Sequence, residues 1–231
     1  QRLTSGVCVV TTSGTYTFNP ALGEITLYAF DLIGIRPAAL LAEHMQSARM
    51  ATNMMLGRWS SQGVNLWAVD LVTTPLVQGT STYSVDASTI VILDMYIVVN
   101  GIDRIITPVS RTEYASYPNK ATEGMPTVAW FDRLLSPTIT LWPVPDGNQT
   151  SLKYYRVRQI QDANFTSGQN VEIPYYFLEA FAQGLAYRLA MIWAPEKAAM
   201  LKVVADESYQ IAASQNVETA NFMISPSLGS Y

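Results

Sequence analysis

The sequence predicts an α+β chain, an antiparallel-type bundle formed by N- and C-terminal helices. A mixed, mostly antiparallel β domain is inserted between them, and an extended arm lies at each end. Three observations carry this. Apolar residues recur every three or four positions in residues 19–63 and again from 174 to about 220. Between these segments the pattern changes to short runs of β-branched and aromatic residues separated by Gly-, Pro- and Asn-marked turns. Residues 1–18 and 221–231 show no period. The resulting parse is arm 1–18, helices 19–63, inserted β-rich domain 64–160, helices 161–220 and arm 221–231.

The first arm is rich in Thr, Ser, Gly and Val, with Thr11-Thr12-Ser13-Gly14 as a turn-forming patch. It reads equally as a strand donated to a neighbour or as a frayed end. Asn19-Pro20 starts a short helix that runs to about Ile33, where Gly34 stops it. Ile25, Tyr28, Ala29 and Leu32 are its apolar positions. A longer helix is expected from Pro37, suited to a first turn that needs no N–H, to Ser60. Leu41, Met45, Ala48, Thr52, Met55 and Trp59 form one packing stripe, and Gly63 ends the unit. Met50, Met54 and Met55 offer a soft binding groove, but methionines at helical spacing more often fill a core, and core filling is the expectation here.

Strands are expected over residues 65–73 and at Thr82–Val85, which follows a Gly79 turn. Thr89–Val99 is the most apolar, and Asn100-Gly101 turns it back into Ile102–Ile106, since both turn residues tolerate positive φ. Residues 110–117 predict a short helical bridge with Ser110 as N-cap and Glu113 as its box partner. Val128–Phe131, Thr138–Trp142 and Leu152–Val157 complete a sheet of six or seven strands, with Pro145-Asp146-Gly147-Asn148 turning between the last two.

Two helices close the chain. One opens at Pro174 and carries Leu178, Ala182, Leu185, Leu189 and Ile192, with Ala180, Gly184 and Ala186 leaving room for a close neighbour. The other follows Pro195, with Leu201, Val204, Ala205, Ser208, Ile211 and Ala212 as its inner stripe.

Composition limits function. Of 231 residues, 49% are apolar and only 14% charged, about half the usual charged share. The longest apolar run, Thr89–Val99, is broken by Asp94 and is shorter than the ~18–20 residues a membrane helix needs. Self-association is therefore expected in place of membrane insertion, and the low net charge of −4 permits identical subunits to approach. Cys8 alone makes neither an intrachain disulfide nor a Cys-based metal site. Gln1-Arg2-Leu3 has no signal-like pattern, and a start at Gln leads to the expectation that residues precede it. Asn148-Gln149-Thr150 and Asn164-Phe165-Thr166 are read as chance matches to the glycosylation pattern.

Catalysis is hard to assemble. His44, the one histidine, sits beside Glu43 on a helix, where adjacent positions diverge, so a structural histidine is expected. Asp132 with Asp146, or Asp70 with Asp94, are the conceivable carboxylate pairs; scattered acids always offer such pairs. No phosphate loop is present and no cofactor or metal is expected. Arg156 and Arg158 share a strand face and are candidates for weak phosphate contact or for an ion pair. With a net charge of −4 and no strong basic patch, any contact with nucleic acid is expected to be loose and to read no bases, because each neutralised phosphate adds affinity.

Several segments together are distinctive: Gly23-Glu24-Ile25-Thr26-Leu27-Tyr28-Ala29-Phe30-Asp31-Leu32-Ile33-Gly34-Ile35, Glu43-His44-Met45-Gln46-Ser47-Ala48-Arg49, Asn53-Met54-Met55-Leu56-Gly57-Arg58-Trp59-Ser60 and Gly63-Val64-Asn65-Leu66-Trp67. To these are added Ile106–Lys120, Pro126–Arg133 and Leu141–Gly147. From about Ser13 to the last helix the chain resembles the head-to-tail connector, or adaptor, proteins of tailed bacteriophages, which include the tail accessory factors of short-tailed phages. The resemblance implies a virion protein of the neck, made in the host cytoplasm, that forms a dodecameric ring. That ring joins the portal protein to a tail or nozzle protein, extends the channel through which double-stranded DNA passes without specific contact, and helps retain packaged DNA. By analogy the C-terminal part, with Ile224, Leu228 and Tyr231, is expected against the portal. The sheet with Tyr114, Tyr117 and Trp130 is expected against neighbours or tail. Two alternatives stay open: a virion-associated cell-wall hydrolase, and a carbohydrate- or protein-binding module.

Overall fold

The computed structural model describes residues 12–63 and 66–216. Helix α1 spans Leu22–Ile33. Its start is set by the Glu24 carboxylate, which accepts the Ala21 N–H at 3.1 Å, and its end by Gly34 at φ 94°, a conformation that only glycine adopts without penalty. Lys197 donates to the carbonyl of Ile33 at 2.8 Å, placing a cation at the negative end of the helix. Leu22, Ile25, Thr26, Ala29, Phe30 and Ile33 are buried, whereas Tyr28 faces outward. The helix is apolar on more than one side, so spacing alone placed the inward face one position off.

Helix α2 spans Ala42–Gln62. The single helix expected from Pro37 is divided: Pro37–Ala39 is a 3-10 turn, and Leu40 and Leu41 are extended. The cause is local. His44 Nδ1 accepts the Leu41 N–H at 3.0 Å and fixes the helix start there. Ala48, Thr52, Met55 and Trp59 point inward as expected, and Leu41 is exposed.

Among the described residues nine strands follow: β1 Val69–Pro75, β2 Thr82–Ser84, β3 Thr89–Val99, β4 Ile102–Pro108, β5 Glu123–Gly124, β6 Val128–Phe131, β7 Thr138–Trp142, β8 Val144–Pro145 and β9 Gln149–Arg158. The short helix α3, Arg111–Ser116, lies between β4 and β5. Seven strands form one sheet in the order β1-β9-β3-β4-β6-β7-β2. Only β4–β6 is parallel within it, so the sheet is mixed and mostly antiparallel. The β3–β4 hairpin turns at Asn100 and Gly101, with φ 52° and 78°, values that match strand twist. Strand β9 extends beyond the predicted segment and lies between β1 and β3, pairing Val157 with Val69 and Tyr154 with Met95. Strands β5 and β8 form a separate parallel pair.

A 3-10 turn at Tyr175–Phe177 leads into α4, Leu178–Trp193, and Pro195 opens α5, which runs to Gln215. The bundle buries Phe30, Trp59, Phe177, Phe181, Leu185 and Leu189. Trp59 sits among Phe177, Phe181 and Tyr209, with ring centroids 5.4–6.2 Å away. A side chain at Gly184 would place its Cβ 2.8 Å from Met55 Sδ, so the small residue permits the α2–α4 approach. Ile192, Val204 and Ile211, expected inside, are exposed; Leu201, Ala205, Ser208 and Ala212 are the residues that α5 buries. A second core on one face of the sheet contains Met95, Ile97, Ile106, Ile139, Leu141, Leu152 and Tyr154.

Residues 159–173 carry the chain from sheet to bundle and are fixed by side-chain clamps. Asn53 donates to the Ala163 carbonyl at 3.0 Å and accepts the Ala163 N–H at 2.8 Å. Trp67 Nε1 donates to the Glu172 carbonyl at 3.0 Å. Residues 12–18 are exposed; the rest of the expected N-terminal arm, and Ile224, Leu228 and Tyr231, lie outside the described residues.

Candidate interaction surfaces

Helix α3 is held on β6 and β7 by four aromatic rings. Ser110 Oγ accepts the Glu113 N–H at 3.1 Å. The Glu113 carboxylate accepts from the Tyr117 hydroxyl at 3.4 Å, so only half of the expected capping box forms. Tyr114 stacks on Trp130 at 5.4 Å and 24°, and Tyr117 on Trp142 at 4.3 Å and 14°. Lys120 donates to the carbonyls of Tyr114 and Tyr117, each at 2.6 Å, and lies 4.8 Å from the centre of the Tyr114 ring. Partial burial, then the Glu113 charge, push the Tyr117 hydroxyl above its usual pKa. Tyr114, Tyr117 and Trp130 thus meet as the sequence grouped them, but their faces are used within the chain and their rims reach solvent. Trp142, the fourth ring of the cluster, is not among the residues that the sequence groups here. Its signal lies in the β6–β7 register: Val128 pairs with Trp142 and Trp130 with Thr140, which puts both tryptophans on one face.

Arg156 and Arg158 lie on one face of β9, as strand alternation requires. Arg156 pairs with Asp70 at 3.1 Å and Asp86 at 3.5 Å, and donates to Thr89 Oγ1 at 3.0 Å. Arg158 pairs with Asp70 at 3.6 Å and makes a bidentate pair with Glu172, one arm of which is 2.8 Å. The Arg158 hydrogen bond holds the Glu172 carboxyl below its usual range, while Glu172 raises Arg158. Two strands, the turn before β3 and the 159–173 linker therefore meet in one charge network.

The other acids are held singly. Asp132 accepts from the Thr138 N–H and hydroxyl, closing the β6–β7 turn. Asp146 accepts from Asn148 and Gln149, whose hydrogen bonds keep its carboxyl below the usual range. Asp94 is exposed on β3. Among the described residues no group of three or more His, Cys, Asp or Glu converges as a metal site would require. His44 is buried between Trp193, 4.2 Å away, and Phe30, 5.8 Å away, with Nδ1 committed to Leu41.

Large apolar side chains remain outside both cores. Contrary to the core-filling expectation, Met50 and Met54 are 60% and 62% exposed, and only Met55 turns inward. The reason is angular: positions 50 and 54 share a helix face, and position 55 lies about 100° round from 54. With Arg188, Met191, Ile192 and Trp193 they line a groove of about 670 Å³ between α2 and the end of α4. Met200, Val203, Val204 and Ile211 form an exposed stripe on α5. On the sheet, Ile105 and the β6–β7 loop residues Leu134 and Leu135 are exposed, Leu135 fully. A second hollow of about 630 Å³ is lined by Phe18, Tyr28, Tyr175 and Tyr176. Tyr176 donates to the side chain of Asn216, the last described residue.

Among the described residues no helix is long and apolar enough to cross a membrane. No curated protein matches the chain. The family model of the SU10 adaptor protein matches residues 11–220, which takes in both helical segments, the whole sheet and the aromatic cluster at α3. A match over nearly the full length establishes the relationship: the chain belongs to the SU10 adaptor protein family, a phage head–tail adaptor family of structural proteins.

Proposed function

We propose that the chain is a non-enzymatic building block of a dodecameric ring in the virion neck. The ring joins the portal protein to a tail or nozzle protein, extends the DNA channel and helps retain the packaged genome. The observation that carries this reading is the quantity of large apolar side chain left uncovered in a family of adaptors. Met50, Met54, Ile192, Met200, Val203 and Ile211 on the bundle, and Ile105, Leu134 and Leu135 on the sheet, would remain in water in a solitary subunit. Scattered apolar residues are ordinary on a monomer, whereas contiguous strips mark places of association. Each strip contributes modestly, and closure of a ring makes the contributions cooperative.

In this reading the bundle supplies copy-to-copy contacts and the C-terminal segment after Asn216 reaches the portal. The rims of Tyr114, Tyr117 and Trp130 with Leu134 and Leu135 face neighbours or the tail. The cations of β9 are balanced by Asp70, Asp86 and Glu172, so DNA would pass this region without being gripped. Mixing the purified chain with portal protein and measuring mass tests the proposal. A defined ring on the portal is expected; a chain that stays monomeric beside portal refutes it.

A further inference from the structure

The α2–α4 groove has a chemical asymmetry that its apolar walls do not explain. Arg188 lines it half-buried, and neither Arg188 nor Arg58 takes part in a hydrogen bond or ion pair among the described residues. Burial, then the like charge of Arg58, push the Arg188 guanidinium below its usual pKa. A half-buried guanidinium with a cation as its charged neighbour lacks the acceptor that partly desolvated charges require. Glu43 also lines the groove, but α2 places it about 22 Å of helix rise from Arg58, at the far end. The groove therefore calls for an apolar rod with a carboxylate towards one end.

The chain itself carries such a rod. On α5, Met200, Val204, Glu207 and Ile211 succeed one another at helical spacing and lie within about 60° of arc, with Val203 alongside. All five are exposed, and Glu207 is in no ion pair among the described residues. The buried face of α5, centred on Leu201, Ala205, Ser208 and Ala212, points about 100° away, so the stripe is not used to hold α5 on the bundle. No residue of α5 lines the groove, and groove and stripe are separate surfaces of one chain.

We propose that the groove of Met50, Met54, Arg188, Met191 and Ile192 receives the Met200–Ile211 stripe of a second copy, with Glu207 of that copy paired to Arg188 and Arg58. The inference rests on the ring reading above and specifies its contact. A groove that takes a different surface of the next copy is a heterologous contact, the type that propagates past a dimer and closes into a ring where the rotation between copies allows. Methionines suit the groove because their unbranched side chains adapt to a helix laid between them. The pairing of charges sets register along the rod, as interfacial charges commonly do.

The test is a charge exchange. Arg188→Glu, Glu207→Arg and the double variant are compared with the unmodified chain by sedimentation velocity over a concentration series, alone and with portal protein. Far-UV circular dichroism checks that the bundle persists. Each single exchange is expected to raise the half-assembly concentration about tenfold or more, and the double variant to return it to within about threefold of the original. Single variants that assemble normally, or a double variant as impaired as either single, overturn the proposal.

A second readout does not depend on charge. Met54→Cys with Val204→Cys, in a Cys8→Ser background, should give a ladder of covalent multimers on oxidation. Rings that form without such a ladder overturn the proposal. So does loss of portal binding in Arg188→Glu with copy-to-copy assembly intact, which would assign the groove to the portal. If the unmodified chain forms no ring on portal, the ring reading itself fails and this contact fails with it; a ring indifferent to the exchange removes only the contact.

Discussion

Asn53 is the residue whose replacement is expected to do most damage for its size. Its side-chain amide satisfies both backbone groups of Ala163, the carbonyl at 3.0 Å and the N–H at 2.8 Å. Ala163 is only 3% exposed, so water cannot easily replace the lost partners. Each buried backbone group left without a partner costs about 1–3 kcal/mol, and Asn53→Ala leaves two. The expected loss is about 2–6 kcal/mol, a large part of the roughly 5–15 kcal/mol that holds a typical domain folded.

Asn53→Asp separates this account from a simple packing effect. At neutral pH it retains an acceptor for the N–H but sets a carboxylate against the Ala163 carbonyl, so it should be at least as damaging as Asn53→Ala. Protonation restores a donor. The folded-state pKa of the introduced acid is therefore raised, and the variant should recover stability as pH falls through that raised value. Urea unfolding followed by circular dichroism at neutral and mildly acidic pH measures both effects. A loss below about 0.5 kcal/mol for Asn53→Ala, or an Asn53→Asp variant that weakens further on mild acidification relative to the parent, would refute the reasoning.

Other expectations concern the aromatic stack, the Glu172 pair and the C-terminal segment. Tyr117→Ala should free Trp142 from its stack, shift its fluorescence and speed hydrogen exchange across residues 110–120; unchanged exchange would contradict the role given to the stack. Glu172 has a depressed folded pKa, so its contribution is present above the ordinary carboxylate range and fades as pH falls through the depressed value. Glu172→Gln should flatten that acid limb in pH-dependent unfolding, and an unaltered limb would place the pH dependence elsewhere. Deletion of residues 222–231 should weaken portal attachment in a pull-down with far-UV helicity unchanged; full attachment would reject the role given to that segment.

The sheet was the most legible part of the fold. Thr89–Val99, Val128–Phe131 and Thr138–Trp142 occur with the predicted bounds, because β-branched runs between strong turn signals leave little choice of register. The helices were legible in existence but not in facing. An α1 that is apolar on several sides, and an α5 with Val204 beside Ala205, do not reveal by spacing which side a neighbour covers. Met50 and Met54 went wrong for the same reason: helical spacing fixes which residues share a face, not whether that face is buried in the same chain. Tyr114, Tyr117 and Trp130 could be grouped from their segments, but Trp142 needed the hairpin register. The ties of Arg156 and Arg158 to Asp70 and Glu172 needed the sheet order and the linker path, which no local pattern encodes.

The most direct test of the whole account is an image of the particle neck at a resolution that separates helices from sheet. Repeated copies of the α1–α2–α4–α5 bundle are expected there, closed around the channel beneath the portal, with the sheet directed towards the tail. A neck that contains this chain as single, isolated subunits, with the bundle faces bare, would contradict it.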